Sequence, residues 1–384
     1  MRIAILTQPL GKNYGGILQA YALQQVLKSM GHETTIINRV DNYPSTKLLM
    51  WRLASFVKCL ISKYFKHNHY VRLISPFSLE YITDTRLVYD YSQLEKFIFE
   101  HIVLTNELRS SNRLRRYLLK NKFDLVVVGS DQVWREEYSP CISDYFGGFA
   151  DTHDKLSFLS YAASFGQDTL PISEKKSSIC GDLLRRFVAV SVRERSAVNI
   201  LKKTWNIDSR LVLDPTLLLG RECYEGLIRG IYKGSLNGIF CYILDQAIEK
   251  KQIIRKVSKT LGKDVNQILL YPKNKKGDAG QLSSIEHWLY TISTSQFVVT
   301  DSYHGCVFSI IFNKPFIVIA NRNRGIDRFT TLLDLVNLTH RMIYSVDELT
   351  DQLIKDVIDY DEVNTIICRN RLASLNFLKD ALTK

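Results

Sequence analysis

Arg193 and His304 are the two side chains best placed by type and local setting to handle an anion and a proton. Arg193 ends the apolar run of Val190-Ser-Val-Arg-Glu-Arg-Ser196. A guanidinium at the carboxyl end of a strand can grip a carboxylate or phosphate through two parallel hydrogen bonds. Its neighbour Glu194 could instead hold it in a structural ion pair. His304 lies in Val298-Val-Thr-Asp-Ser-Tyr-His-Gly305, where a strand over Phe297 to Thr300 gives way to a helix over Cys306 to Phe312. Ligands bind at such junctions in open α/β sheets, because the helix N-terminus offers free N–H groups and a favourable dipole to an anion. An imidazole there can take or give a proton near neutral pH. The plainer alternative is a capped helix start, with Asp301 or Ser302 as the cap.

Three other strand ends carry similar residues. Asn13-Tyr-Gly-Gly-Ile-Leu-Gln19 joins the first strand to the first helix, and Gly15 and Gly16 permit close backbone approach to a ligand. Its spacing is not the G-x-G-x-x-G of a dinucleotide fingerprint, and an ordinary turn would use the same residues. Asp124-Leu-Val-Val-Val-Gly-Ser-Asp-Gln-Val-Trp134 delivers Ser130 and Asp131, a carboxylate that can accept sugar hydroxyls, act as a base, or cap a helix. Tyr161-Ala-Ala-Ser-Phe-Gly166 brings Ser164 in the same way.

The elements that must position these residues alternate. Strand signals at Ile3 to Leu6, Thr34 to Asn38, Phe123 to Val128, Ser157 to Ala162 and Val188 to Val192 are interleaved with helices at Ile17 to Met30 and Ser173 to Arg186. A second series follows: strands at Leu211 to Leu213, Gly238 to Ile243, Val265 to Leu270, Phe297 to Thr300 and Phe316 to Ile319, with helices at Gln246 to Leu261 and Ser284 to Ser293. Short, continuously apolar strands between helices indicate parallel sheets covered on both faces. The expectation is an α/β protein of two Rossmann-like, doubly wound domains, spanning 1–205 and 206–345 and separated near Asp214-Pro215. Polar helices over 346–384 should pack back on the first domain. Residues 273–280 read as a loop.

A chain of 384 residues, 46% hydrophobic and 23% charged, belongs with globular proteins of two ordinary domains. The first residues lack the pattern of a signal peptide, and no run approaches the roughly 20 apolar residues that cross a bilayer. Seven scattered cysteines, without metal-ligand spacing, suit a reducing cytoplasm with no structural zinc.

The net charge of +12 calls for an anionic partner: a phosphorylated substrate, an acidic membrane surface or nucleic acid. No nucleic-acid-binding motif is present. The charge concentrates in 43–76, which holds Lys47, Arg52, Lys58, Lys63, Lys66 and Arg72 and no acidic residue. Leu49, Leu53, Phe56, Val57, Leu60, Ile61 and Tyr64 fall on one helical face there, with Trp51, Phe65 and Tyr70 adding aromatics. Two readings fit: a helix with its apolar face to the core and a solvated basic side, or one resting on anionic lipid at the inner face of the cytoplasmic membrane.

Taken in order, these motifs resemble the polysaccharide pyruvyltransferase family: Asn-Tyr-Gly-Gly-x-Leu-Gln at 13–19, Gly-Ser-Asp at 129–131 and Ser-x-Arg-Glu-x-Ser at 191–196. Asp-Pro-Thr at 214–216, Asp-Ser-Tyr-His-Gly at 301–305 and Arg-Phe-x-x-Leu-Leu at 328–333 complete the series. The resemblance implies a glycosyltransferase-B-like architecture, two domains facing a cleft. It also implies transfer of an enolpyruvyl-derived group from phosphoenolpyruvate to a sugar as a cyclic ketal, with no cofactor beyond that donor. By position, Arg193 matches an arginine that binds the donor anion, His304 the catalytic histidine, and Arg328 a second cationic contact. Ser302 departs from the pattern, because several members carry arginine there. Arg322, Arg324 or Arg328 could restore the lost charge.

The implied chemistry needs an acid and a base but no electron transfer. His304 is the candidate for proton transfer and Asp131 for orienting or deprotonating the acceptor. The expected acceptor is a hexose such as galactose in a surface-polysaccharide precursor, held on a polyprenyl-diphosphate carrier. The rival readings are a nucleotide-sugar-dependent glycosyltransferase, with Glu286 and Trp288 as nucleotide contacts, and a non-catalytic glycan-binding protein.

Overall fold

A computed structural model of the chain describes every residue except 12, 43–45, 66–90, 232–236, 246, 270–281, 322–324 and 384. The first lobe runs through β1 (Arg2–Leu6), α1 (Tyr14–Ser29), β2 (Glu33–Ile36), α2 (Thr46–Tyr64), α3 (Ser92–His101) and α4 (Ser111–Lys120). It continues with β3 (Leu125–Val128), β4 (Ser157–Ala163), α5 (Glu174–Leu184), β5 (Ala189–Val192), α6 (Arg195–Trp205) and β6 (Arg210–Leu211). Next come α7 (Arg221–Ile228), β7 (Ile239–Ile243), α8 (Ile248–Leu261), β8 (Val265–Leu269), α9 (Ile285–Thr294) and β9 (Phe297–Thr300). The chain ends with α10 (Tyr303–Ile311), β10 (Phe316–Ile319), α11 (Asp327–Leu335), β11 (Met342–Ile343), α12 (Asp351–Lys355) and α13 (Tyr360–Leu382).

Both sheets are parallel. The first has the order β2-β1-β3-β4-β5-β6 and the second β11-β10-β9-β7-β8. Strands such as Leu-Val-Val-Val in β3 and Phe-Val-Val-Thr in β9 are buried throughout, as a strand covered on both faces must be. The order reverses between β1 and β3 in one sheet and between β7 and β9 in the other, which places ligand crevices at the carboxyl ends of those strands. The protein is therefore an α/β molecule of two Rossmann-like, doubly wound domains.

The segment at Leu211 to Leu213 was expected to open the second series. Instead β6 closes the first sheet, pairing Ser191 with Arg210 and Val192 with Leu211, so that sheet runs past 205. Of the two terminal helices, α12 stays with the second lobe, where the Thr260 hydroxyl of α8 donates to Asp351 at 2.8 Å. The other, α13, returns to the first: the Leu213 amide donates to the Ser374 hydroxyl at 3.0 Å, and Phe377 packs against Tyr161.

The amino end of α1 joins the lobes. Tyr14 is fully buried, stacked on Trp288 at 5.9 Å and 15°, edge-on to Tyr242, and donates its hydroxyl to the Ser283 carbonyl at 2.7 Å. One continuous apolar core thus runs from Ile5 of the first sheet and Leu18 of α1 through Tyr14 to Trp288 and Phe308.

The core-facing reading of α2 holds for Leu49, Phe56 and Leu60, which are half-buried, and fails for the rest of the expected stripe. Leu53, Val57, Ile61 and Tyr64 face solvent, while Cys59 is the buried side of the helix. The expected loop at 273–280, together with Lys66, Tyr70 and Arg72, lies outside the described residues, as do the side chains of Lys47 and Trp51.

Candidate active site

Four of the strand ends meet around one carboxylate. Arg193, following β5, is wholly buried and donates from Nη1 to Asp214 Oδ2 at 2.8 Å and from Nη2 to Asp131 Oδ1 at 3.0 Å. His304, in the first turn of α10, brings Nε2 to 3.7 Å from the same Asp214 Oδ2. That separation is longer than a hydrogen bond. Asp214 itself caps a short turn over Pro215–Leu217, its Oδ1 accepting from the Thr216 amide at 3.1 Å and hydroxyl at 2.7 Å. Ser130 donates its hydroxyl to Asp214 Oδ2 at 3.5 Å. The cluster therefore draws on β3, β5 and the connection after β6 in the first lobe, and on α10 in the second.

Burial sets the electrostatics, and charge pairing overrules it at two positions. Burial alone would push the Asp214 carboxyl up, but His304 and Arg193 hold it well below the usual carboxylate range. Burial would likewise lower Arg193, but Asp131 and Asp214 raise it above its ordinary value and keep it charged. At Glu194 burial wins and pushes the carboxyl up, even though Oε1 accepts from the Phe165 amide at 2.9 Å. Burial, followed by the charge of Arg193, pushes Arg328 down.

Tyr303 is the floor on which the two cations meet, with the guanidinium carbons of Arg193 and Arg328 at 4.9 and 5.7 Å from its ring centroid. Asp131 and Glu194 lie near enough to Arg328 to offset part of the repulsion from Arg193.

Gly15 makes the close backbone approach expected of it, but to the other lobe. A Cβ there would lie 2.0 Å from His304 Nδ1 and 2.2 Å from its Cγ. The backbone of α1 is therefore one wall of the imidazole's socket. At Gly16 the atoms nearest a Cβ belong to the Asn13 side chain, the first at 3.3 Å. Asn13 is exposed at the helix entrance and makes no capping bond.

The remaining expected residues divide. Ser164 is buried and accepts the Gly166 amide at 3.0 Å, bracing the loop whose next contact is Glu194. Ser302 caps α10 by accepting the Gly305 amide at 3.4 Å, so its hydroxyl does the work of the plainer reading. Asp301 points into a different network. Its Oδ1 accepts from the Leu244 amide at 2.7 Å and its Oδ2 from Lys250, so both oxygens serve the second lobe's own packing. Arg328 lies in the first turn of α11 rather than in the loop after β10, and Arg322 and Arg324 lie outside the described residues. Trp288, considered above as a base-stacking platform, has no exposed surface and is already stacked on Tyr14.

Asp214, Tyr303 and Glu194 were not singled out by the sequence as members of the site. For Asp214 a local signal existed, since Asp-Pro-Thr is a helix-start pattern, but nothing local announces its distant partners. A small cleft abuts the cluster, lined by Arg193, Asp214, Tyr303, Leu213, Leu332 and Ser374. Among the described residues, one group could hold a metal ion: Glu100, His101 and Glu286, whose donor atoms lie within 4.8 Å of one another where α3 meets α9.

Known structures share this architecture. A Listeria monocytogenes protein designated a UDP-N-acetylglucosamine 2-epimerase matches with a TM-score of 0.50 at 9% identity, over 97% of this chain and 91% of that one. UDP-GlcNAc 2-epimerase from Neisseria meningitidis matches with a TM-score of 0.48 at 10% identity, over 100% of each chain. At such identities the likeness concerns the fold, which is that of the glycosyltransferase-B class. No curated protein matches the chain in sequence. The family model described as polysaccharide pyruvyl transferase matches residues 13–323, a span that takes in Gly15, Asp131, Arg193, Asp214 and His304. With most of its length inside that match, the chain belongs to the polysaccharide pyruvyl transferase family.

Proposed function

We propose that the protein transfers the enolpyruvyl-derived group of phosphoenolpyruvate to two hydroxyls of a sugar, forming a cyclic ketal and releasing phosphate. The observation that carries this reading is the convergence of Arg193 and His304 on Asp214, which puts a cation and a proton carrier from different lobes into one buried cluster. In the reaction the donor's methylene carbon takes a proton and becomes a methyl group. A sugar oxygen bonds to the central carbon, the bond from that carbon to the phosphate oxygen breaks, and a second sugar oxygen closes the ring. One hydroxyl proton ends on the methyl carbon and the other leaves with phosphate.

The residues divide this work. His304, held between Gly15 and Asp214, moves the proton. Ionised Asp214 orients the imidazole and stabilises its charged form. The donor's anionic groups settle between Arg193 and Arg328, over Tyr303, and take the place of Asp131 on Arg193 Nη2. Asp131 is thereby freed to accept the hydrogen of the attacking hydroxyl. The acceptor is a hexose such as galactose in a surface-polysaccharide precursor carried on polyprenyl diphosphate.

Incubation with phosphoenolpyruvate and a galactoside, followed by phosphorus NMR and mass spectrometry of the sugar, tests the reading. Stoichiometric phosphate and a ketal-bearing sugar support it. Transfer from a nucleotide sugar with phosphoenolpyruvate untouched contradicts it.

A further inference from the structure

We propose that the outward face of α2 is a membrane-docking surface that rests in the plane of an anionic lipid bilayer. Met50, Leu53, Val57, Ile61 and Tyr64 follow one another at steps of three and four, so they line one side of the helix. That side faces solvent: the five residues are 70%, 38%, 51%, 44% and 61% exposed, and Phe65, just past the last turn, is 82% exposed. Cys59, only 7% exposed, is on the opposite side. A helix on the surface of a globular protein turns its apolar stripe inward. Here the stripe is turned outward and is removed from water only when something covers it.

Charge identifies the cover. The sequence of α2 itself carries Lys47, Arg52, Lys58 and Lys63 and no acidic residue. A second copy of this chain, docked through the same stripe, would set uncompensated positive charge against its own image. An anionic bilayer instead attracts the lysines to its headgroups and takes the apolar residues and Tyr64 into the boundary beneath. No described helix is long and apolar enough to cross a membrane, so the contact is lengthwise. The docking is independent of the chemistry at His304 and can be read without substrate.

Sedimentation of the full chain with lipid vesicles tests this, using phosphatidylcholine alone or with one-third phosphatidylglycerol, at low and high salt. The parent should pellet with the anionic vesicles, weakly with neutral ones, and less as salt rises. Val57→Asp/Ile61→Asp and Lys58→Glu/Lys63→Glu should each weaken binding by more than about tenfold. Melting curves identify any variant that fails to fold, and the lysine pair then decides alone. Equal partitioning with and without anionic lipid, or parental binding by both variants, overturns the proposal. So does a parental dimer in solution that the aspartates convert to monomer, since a second copy would then be the occupant.

Discussion

The backbone of Gly15 and the imidazole of His304 share one van der Waals boundary, although one belongs to the first lobe and the other to the second. No side chain fits between them. The Asn-Tyr-Gly-Gly motif therefore acts on the opposite lobe: Tyr14 fixes α1 in an aromatic cage, and Gly15 lets it lie flush against the histidine.

Gly15→Ala should force the histidine or α1 to shift. A displacement near 1 Å costs on the order of a hundredfold in rate, and overpacking costs about 1–3 kcal/mol of stability. Gly16→Ala, whose Cβ first meets the exposed Asn13 side chain, should stay within a few-fold of the parent. Phosphate release from phosphoenolpyruvate, measured beside melting temperature, checks both; equal effects of the two substitutions contradict the socket.

Asp214→Asn should show a pH signature. The Asp214 carboxyl is depressed in the folded state, so its contribution is fully present above the ordinary unfolded value of about 3.9 and is lost as pH falls through the lower folded value. The stability gap between parent and variant should then be largest near neutrality, on the order of 3 kcal/mol for one partner lost from a buried pair. It should close in strong acid. A gap that does not change with pH would mean that packing, not charge, sets the effect.

Asp131→Asn tests the exchange of partners on Arg193. If the donor anion replaces Asp131 on Nη2, removing the negative charge should leave the Michaelis constant for phosphoenolpyruvate equal or lower. Turnover should fall by about a hundredfold or more, as for loss of a base. Steady-state kinetics separate the two, and a raised Michaelis constant with normal turnover contradicts the exchange.

Arg328→Ala should raise the Michaelis constant for phosphoenolpyruvate by roughly tenfold or more, as expected for a charge-assisted contact. Its position over Tyr303 beside Arg193 makes it the described candidate for the charge absent at Ser302. An unchanged constant would rule out that role.

Much of the fold could be read from the chain because β3 and β9 are apolar throughout, a pattern with few alternatives between turn signals. The helices α3 and α4 could not, since each buries only two residues, Leu94 and Phe97 or Leu114 and Leu118, and leaves too sparse a period. Two-residue β6 is identified only by its pairing with β5. For α2 the spacing gave the stripe but not its direction, which depends on what the rest of the chain offers to cover it. Strand ends pointed to Arg193, Asp131 and His304 because the sheet rule locates them locally. Asp214 and the Gly15 socket were hidden because each is defined by contact between residues dozens to hundreds of positions apart.

The most direct measurement is turnover and donor binding by His304→Ala. The account predicts that phosphate release falls by about a hundred- to ten-thousandfold. Phosphoenolpyruvate should still bind with near-parental affinity by calorimetry, because Arg193 and Arg328 remain. Near-parental turnover would contradict the assignment of His304 as the proton carrier, and with it the account of this site.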